Sequence, residues 1–247
     1  MLLHGVGHRR QAWNAVLDLL APHRSVIAVD LPGHGESPPL RLDGRPAVGA
    51  IAEELLAFFD ELGLDRPHIA GNSLGGALAL VAAARGRAAT VTGLSPAGFW
   101  ARDWEFSYAK GVFVAGQLFG AAARPLVPAI TRRALGRAVI EGGFVARPSR
   151  MPAQQAAADA FAFLRARETV RVILAESVSF TESVPDDVPV TIAWGTKDRI
   201  LHPRQARIAM RQLPSARFVP LPGCGHVPMT DDPELVASVL LHGSSPV

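Results

Sequence analysis

Short apolar runs alternate with helical patterns over the first hundred residues of the chain. Strands are predicted at Val26–Val29, at Ile69–Ala70 together with the residues before them, and at Thr90–Leu94. Between these strands, apolar side chains recur at helical spacing over 51–62, and Leu74–Arg85 is an alanine-rich helical pattern. This alternation is typical of βαβ units, so the pattern predicts an α/β fold with a mostly parallel sheet.

The same alternation returns near the end of the chain. Val188–Trp194 and Phe218–Leu221 have the composition of strands, and a helical pattern from about Pro203 to Leu213 separates them. A further helix is predicted at Pro233–Leu241. These elements are expected to extend the sheet that the first hundred residues begin.

The middle of the chain breaks the alternation. From 99 to 183 the pattern contains no convincing strand, only helical stretches such as Met151–Arg167, punctuated by glycine and proline. We therefore predict an α/β core formed by 1–98 and 184–247, with 99–183 as a helical insertion between two strands of the sheet.

Composition excludes several classes of protein. The 247 residues include one cysteine, which rules out an intramolecular disulfide and a zinc ribbon, and no metal or cofactor site is expected. The formal net charge is +3, and no basic run is interleaved with aromatic residues, so nucleic-acid binding is not expected. The expected partner is a small-molecule substrate.

No membrane span is expected either. The most apolar stretch, 111–130, is interrupted by polar or helix-breaking residues, namely Gln117, Arg124, Pro125 and Pro128. The apolar run at the start of the chain is too short for a signal peptide. These patterns favour a cytoplasmic protein.

The sharpest chemical signal is the segment Gly71–Gly76, which reads GNSLGG and lies between a predicted strand and a predicted helix. In that context G-x-S-x-G predicts a tight strand-to-helix turn that holds Ser73 in a strained conformation and exposes its hydroxyl above the sheet. The N–H of Leu74, at the start of the helix, would be free to donate to an oxyanion. Ser73 is the candidate nucleophile.

A serine nucleophile needs a base, normally histidine, and an acid that orients the base. Asp198 lies just past a predicted strand, and His226 lies in the loop after the next strand. The chain order Ser73, Asp198, His226 is that of the α/β-hydrolase triad. Among rival residues, His202 is expected at the surface, Asp30 in a structural loop, Asp231 and Asp232 as solvated charges or helix caps, and Cys224 without a catalytic role.

The chain resembles the α/β-hydrolase family over nearly its whole length. The segments that carry the resemblance are His4-Gly5, Asp30–Ser37, the turn at Ser73, Trp194–Asp198 and Gly225-His226. The resemblance implies that Ser73 is the nucleophile, Asp198 the acid and His226 the base. It further implies that the N–H groups of Val6 and Leu74 form the oxyanion hole, and that 99–183 is a helical lid.

A serine at the turn favours acyl transfer over the chemistry of similar haloalkane dehalogenases and epoxide hydrolases, which use an aspartate. The predicted function is hydrolysis of a small apolar carboxylic ester through an acyl-enzyme on Ser73. Three alternatives remain open: a carbon–carbon bond hydrolase of ring-fission products, a cofactor-free haloperoxidase or perhydrolase, and a small-molecule sensor on the same fold.

Seven aromatic residues cluster near the start of the insertion, where they predict either an apolar substrate cavity or the core of the lid. They are Phe99, Trp100, Trp104, Phe106, Tyr108, Phe113 and Phe119.

One feature departs from the family pattern. Only Met1, Leu2 and Leu3 precede His4, whereas the family places two further strands before this point. The first two strands are therefore expected to be absent, which would leave the strand at Val26–Val29 at an unprotected sheet edge. Either the true start lies upstream, or the short form is real and either pairs with a second chain through that edge in a homodimer or works poorly.

Overall fold

Six parallel strands form the central sheet in the computed structural model, which describes residues 1–176 and 179–245. Their spatial order is β2-β1-β3-β4-β5-β6. The strands are β1 (Leu2–Leu3), β2 (Ala28–Val29), β3 (His68–Asn72), β4 (Thr90–Leu94), β5 (Val190–Gly195) and β6 (Arg217–Leu221). The predicted parallel sheet is confirmed. Ser177 and Val178 of the predicted insertion, and Pro246 and Val247 of the predicted core, lie outside the described residues.

Helices cover both faces of the sheet and fill the interval between β4 and β5. Before β4 they are α1 (Asn14–Leu20), α2 (Ala47–Glu61) and α3 (Leu74–Ala84). Between β4 and β5 they are α4 (Asp103–Ala123), α5 (Val127–Thr131), α6 (Ala134–Glu141), α7 (Ala153–Arg165) and α8 (Arg167–Ile173). After β5 they are α9 (Ala206–Gln212), α10 (Pro228–Asp231) and α11 (Pro233–Gly243).

The helix α3 is buried along nearly its whole length, which explains why its sequence shows no polar face. Two apolar clusters flank the sheet: one includes α2 and α3, and the other includes α1 and α11. Both faces of a parallel sheet must be covered in this way, since its strands are apolar on both sides.

The strands match their predicted positions to within a few residues, and Thr90–Leu94 matches at both ends. The largest difference is β2, where only Ala28–Val29 of the predicted Val26–Val29 is a strand. The cause is its single neighbour, since β2 is the outermost strand and pairs only with the two residues of β1. The predicted exposed edge is therefore present at β2. The helix α1 was not predicted.

The interval between β4 and β5 contains helices and no strand among its described residues. Its first part, the helical run Asp103–Thr131, is long and apolar enough to cross a membrane by length and composition. Only 17% of its most apolar window is buried, so the run is not a core helix. Three of the residues expected to interrupt a span, Arg124, Pro125 and Pro128, lie at the junction of α4 and α5, and Gln117 lies within α4.

Register places the chain that follows β1 next to the turn that follows β3. Leu3 pairs with Gly71, so β1 ends beside the end of β3. All six strands run in one direction, and their carboxyl ends therefore meet at a single edge, where ligands bind in open α/β sheets.

Candidate active site

Ser73 lies at the turn between β3 and α3 with φ 55° and ψ −116°, a strained conformation for a residue with a side chain. Two glycines permit the turn. A Cβ on Gly71 would lie 2.1 Å from the carbonyl oxygen of Gly75, and a Cβ on Gly75 would lie 2.2 Å from that of Leu3. The local geometry is the sharp strand-to-helix turn that the G-x-S-x-G spacing predicts.

Asp198 and His226 meet at the same edge of the sheet. His226 Nδ1 lies 2.8 Å from Asp198 Oδ2, and both residues are buried, with 2% and 4% of their surface exposed. The other carboxylate oxygen, Asp198 Oδ1, accepts hydrogen bonds of 2.9 Å from the N–H groups of Ile200 and Leu201. This carboxylate accepts from Nδ1–H, so the Nε2 atom of the His226 ring is left as the proton acceptor.

The turn after β1 approaches Ser73 closely. A Cβ on Gly5 would lie 3.2 Å from the Cβ of Ser73, and the next residue, Val6, lines the same cavity as Ser73. Within the described part of the chain, no group accepts a hydrogen bond from the N–H of Val6 or Leu74. Both predicted oxyanion donors are therefore near the serine and available to a ligand.

Two buried histidines hold the Val6 turn in place. His4 Nε2 accepts from the N–H of Leu31 (2.9 Å), and His34 Nε2 accepts from the N–H of Gly7 (3.0 Å). Burial lowers the pKa of His34 to about 4 and that of His4 well below its ordinary value. Both rings are neutral at pH 7, as their acceptor role requires.

Asn72, the residue before the serine, connects β3 to the loop of His226. Its Nδ2 donates to the carbonyl oxygens of Leu94 (3.0 Å) and His226 (2.8 Å). Asn72 is a functional residue that was not predicted from the sequence. Its position next to Ser73 was the only available signal, since its partners lie 22 and 154 residues away.

The expectation for Asp231 was wrong. It is a buried residue, neither a solvated charge nor a helix cap, and its carboxylate accepts from three N–H groups. These belong to Ala146, Arg147 and Gly225, at 2.8–3.0 Å. The side chain thus ties the helical insertion to the residue before His226. Asp232, by contrast, caps α11 as expected.

A cavity of about 140 Å³ joins Ser73 and His226 to the helical insertion. Most of its lining is apolar, and most of the lining residues come from the helical insertion. The apolar side chains include Phe113, Phe119, Val127, Val139, Ile140, Phe144, Val145, Met151, Phe163 and Leu164.

The aromatic cluster near the start of the insertion is mostly not the wall of this cavity. Only Phe113 and Phe119 of the seven residues line it. Phe99 packs against Phe180 in the core, whereas Trp104 is about half exposed. Two cavity residues from later in the chain were missed: Phe144, in the turn after α6, and Phe163, on α7. A single phenylalanine in a turn or a helix carries no signal that distinguishes a cavity from a core.

Besides His226, three ionisable residues line this apolar cavity: His8, Glu141 and Asp159. Asp159 forms an ion pair of 3.1 Å with Arg9. Glu141 is buried, and within the described residues its carboxyl group has no hydrogen-bond partner. Burial raises its pKa to about 8, and the nearby Asp159 carboxylate acts in the same direction. Glu141 is consequently protonated at pH 7.

The rival candidates lie where they were expected. Asp30 accepts from the N–H groups of Arg10 (2.6 Å) and Glu36 (3.0 Å) and so braces a loop. His202 caps a turn through a bond from the N–H of Arg204 (3.2 Å). Burial raises the pKa of the Cys224 thiol to about 11, which leaves it a poor nucleophile.

Across residues 1–176 and 179–245, no three His, Cys, Asp or Glu side chains form a cluster that could hold a metal ion.

Several known proteins are similar to this chain in architecture and in sequence. A crystal structure of a bacterial membrane phospholipase A superposes with a TM-score of 0.74 at 26% identity, covering 98% of this chain and 77% of that one. An epoxide hydrolase from Mycobacterium tuberculosis is 31% identical over 77% of this chain and 91% of its own length. The pimeloyl-[acyl-carrier protein] methyl ester esterase of Neisseria meningitidis is 28% identical over 96% of this chain and 89% of its own.

The chain also spans 62% of the length of a longer relative, the dihydrolipoyllysine-residue acetyltransferase component of the acetoin cleaving system of Pseudomonas putida, at 28% identity. The family model described as "Alpha/beta hydrolase family" matches residues 1–239. Nearly the whole chain is included in that match, and the chain therefore belongs to the alpha/beta hydrolase family and is an alpha/beta-fold hydrolase.

Proposed function

We propose that this hydrolase cleaves a small, apolar carboxylic ester through an acyl-enzyme on Ser73. The observation that carries the proposal is the shared cavity: the strained Ser73 and the hydrogen-bonded pair His226–Asp198 open into one apolar space. Ester hydrolysis needs a nucleophile, a base and an oxyanion site at one place, and this edge of the sheet offers all three.

In the first half of the reaction, Ser73 Oγ attacks the ester carbonyl while His226 Nε2 accepts the hydroxyl proton. The Asp198 carboxylate stabilises the imidazolium and holds its ring orientation through the 2.8 Å bond. The N–H groups of Val6 and Leu74 bind the tetrahedral oxyanion, each contributing about 3 kcal/mol of barrier reduction by comparison with measured oxyanion donors. The imidazolium then gives its proton to the leaving alkoxide, and the alcohol departs.

In the second half, His226 deprotonates a water molecule that attacks the acyl carbonyl. The same N–H pair binds the second oxyanion, and collapse of this intermediate breaks the bond to Ser73 Oγ, which recovers its proton from His226. The carboxylic acid product leaves with the enzyme restored. No step needs a group beyond the chain, the ester and water.

The size and lining of the cavity support a small apolar substrate. A volume of about 140 Å³ is close to that of an engineered cavity of about 150 Å³ that binds benzene. The helical insertion acts as the lid, since it supplies most of the residues that line the cavity.

The relatives are named for different bonds. The phospholipase and the methyl ester esterase are named for ester bonds, whereas the Mycobacterium tuberculosis relative is named for epoxides. A serine at position 73, rather than an aspartate, favours acyl transfer in this chain.

The test is a panel of p-nitrophenyl esters from acetate to decanoate, assayed with wild type and Ser73→Ala. We expect turnover to be fastest for short acyl groups and to fall by about 10⁴-fold or more in the variant. The matched control is Ser95→Ala, because Ser95 is also a buried serine with positive φ at a strand end but lies outside the cavity lining.

The control variant should keep wild-type turnover. Comparable activity in Ser73→Ala and wild type would contradict the assignment of the nucleophile. Reaction of Ser73 with a fluorophosphonate, without turnover of any ester in the panel, would instead indicate a sensor or another reaction on the same fold.

A further inference from the structure

The outer face of α4 is apolar over its whole length although it faces solvent. Exposed apolar or small residues recur on it every three or four positions, which is the spacing of one helix face. They are Trp104, Tyr108, Gly111, Ala115, Leu118 and Ala122. The inner, buried face of the same helix carries the polar residues Glu105 and Gln117, both of which are hydrogen-bonded. That face also carries Ala109 and Phe113, so α4 has apolar side chains on both its inner and its outer face.

The apolar surface continues beyond α4. Leu118 is 61% exposed, Leu126 in the following turn is 58% exposed, and Leu135 on α6 is 78% exposed. Phe119 and Val139 are also more than half exposed, and both line the cavity that contains Ser73. This outer face therefore adjoins the cavity that contains Ser73. Soluble monomeric proteins rarely leave so many large apolar side chains together in water.

Beyond the first two turns of α4, which include the exposed Asp103, the charges on this surface have one sign. Residues 111–140 contain four arginines and neither aspartate nor glutamate. Arg124, Arg132 and Arg133 are exposed, and none of the three has an ion-pair partner among the described residues. Arg124 also lines a surface cavity of about 360 Å³ together with Phe161, Leu164 and Arg165, which places two guanidinium groups around an apolar concavity.

From this combination we propose that the outer face of α4, with the adjoining turn and α6, docks onto an anionic lipid surface. Exposed leucine and phenylalanine side chains insert at the boundary of headgroups and acyl chains, while unpaired arginines contact the anionic headgroups. The helix lies in the interface and does not cross it. The entrance to the Ser73 cavity then faces the lipid.

Charge also argues against a second copy of the chain as the occupant. A symmetric dimer through this face would oppose arginine with arginine, and 111–140 supplies no acidic side chain to pair with them. An anionic lipid surface satisfies the apolar and the cationic groups together.

The experiment is co-sedimentation of the whole protein with vesicles of phosphatidylcholine alone or mixed with phosphatidylglycerol. We expect binding to the anionic vesicles, weaker binding to the neutral ones, and release as salt is raised. The triple variant Leu118→Gln, Leu126→Gln, Leu135→Gln should lose vesicle binding, while hydrolysis of a water-soluble ester stays at the wild-type rate. None of these three residues lines the Ser73 cavity.

The matched control replaces three exposed apolar residues elsewhere on the surface, Leu19→Gln, Leu62→Gln and Phe218→Gln, and should bind like wild type. A charge variant, Arg124→Gln with Arg165→Gln, should bind anionic vesicles about thirtyfold more weakly, since each basic side chain near such a surface contributes about 1 kcal/mol. Ser73→Ala should bind like wild type, so this test is separate from that of the proposed reaction.

Three outcomes would overturn the proposal. The first is that the wild type does not bind anionic vesicles, which is the result expected if the partner of this face is an acidic protein. The second is equal binding by the two triple variants. The third is a wild-type dimer in light scattering that the Leu118, Leu126 and Leu135 substitutions convert to monomer, which would make the face an interface between copies.

Discussion

The Ser73 edge of the sheet and the helical insertion above it are built in opposite ways. At the sheet edge, polar side chains are buried and hydrogen-bonded, as Asn72, Asp198 and Asp231 show. On the insertion, large apolar side chains are exposed, and the cavity side carries a carboxyl group, Glu141, without a hydrogen-bond partner in the described residues.

We interpret the difference as a division of roles: the sheet edge holds the reacting groups, and the insertion controls what reaches them. Buried and fully bonded groups hold one geometry, which a proton-transfer site requires. An exposed apolar surface and an unpartnered carboxyl group add nothing to the stability of the isolated chain, and they are better explained by what the insertion contacts.

The largest expected effect is the loss of turnover when one member of the His226–Asp198 pair at the sheet edge is substituted. His226→Ala and Asp198→Asn should each lower kcat/KM for a p-nitrophenyl ester by about 10³-fold or more, because the base is lost or its orientation is no longer held. Each variant combined with Ser73→Ala should be little worse than Ser73→Ala alone, since the three groups act as a unit. Additive losses in the double variants would contradict a shared mechanism.

A smaller effect is expected where the two regions join. Asp231→Ala removes the acceptor for three N–H groups from the insertion and the His226 loop and should cost about 3 kcal/mol of unfolding free energy. It should also lower kcat, because Gly225 precedes the base.

The matched control is Asp232→Ala, which removes only the cap of α11, should cost about 1 kcal/mol and should leave kcat unchanged. Denaturant titration and ester kinetics measure both quantities. Equal kcat values for the two variants would show that the Asp231 contacts do not position His226.

The last expected effect, on stability and not on turnover, is a pH dependence from the insertion. The pKa of Glu141 is raised from 4.5 to about 8 in the folded chain, so between these values the folded state holds a proton that the unfolded state has released. The Glu141 contribution therefore makes the protein less stable as pH rises through this window, by about 1.4 kcal/mol per pH unit at most.

Glu141→Gln replaces the titrating carboxyl group by a neutral amide. The Tm of the variant should therefore exceed that of wild type by a margin that widens from pH 5 to pH 8. His8 and the Asp159–Arg9 pair, which face the same cavity, are unchanged in the variant and cancel in the comparison. Parallel Tm curves for the two proteins would show that Glu141 titrates at its ordinary pKa.

Most of the fold and the core of the site could be predicted because their signals are local. A G-x-S-x-G segment between a strand and a helix has one geometry, and residues that follow parallel strands must gather at one sheet edge. Ser73, Asp198 and His226 each occupy such a position, and the parallel sheet brings them to the same edge.

The remainder depended on contacts between distant segments. Asp231 reaches N–H groups 84 and 85 residues away, which no spacing along the chain encodes. Phe144 and Phe163 face a cavity whose shape depends on how four helices pack. The outer face of α4 was missed for another reason: an apolar stripe is expected to face inward, whereas on this helix it faces solvent.

The central claim is that Ser73 is the nucleophile of an acyl-transfer site. Its most direct test is reaction with a fluorophosphonate, which bonds covalently to an activated serine, followed by mass spectrometry of the digested protein. We expect a single adduct, on the peptide that contains Ser73, with labelling strongly slowed in His226→Ala and preserved in Ser95→Ala. An adduct on another residue, or ester turnover that continues after Ser73 is fully labelled, would contradict the account.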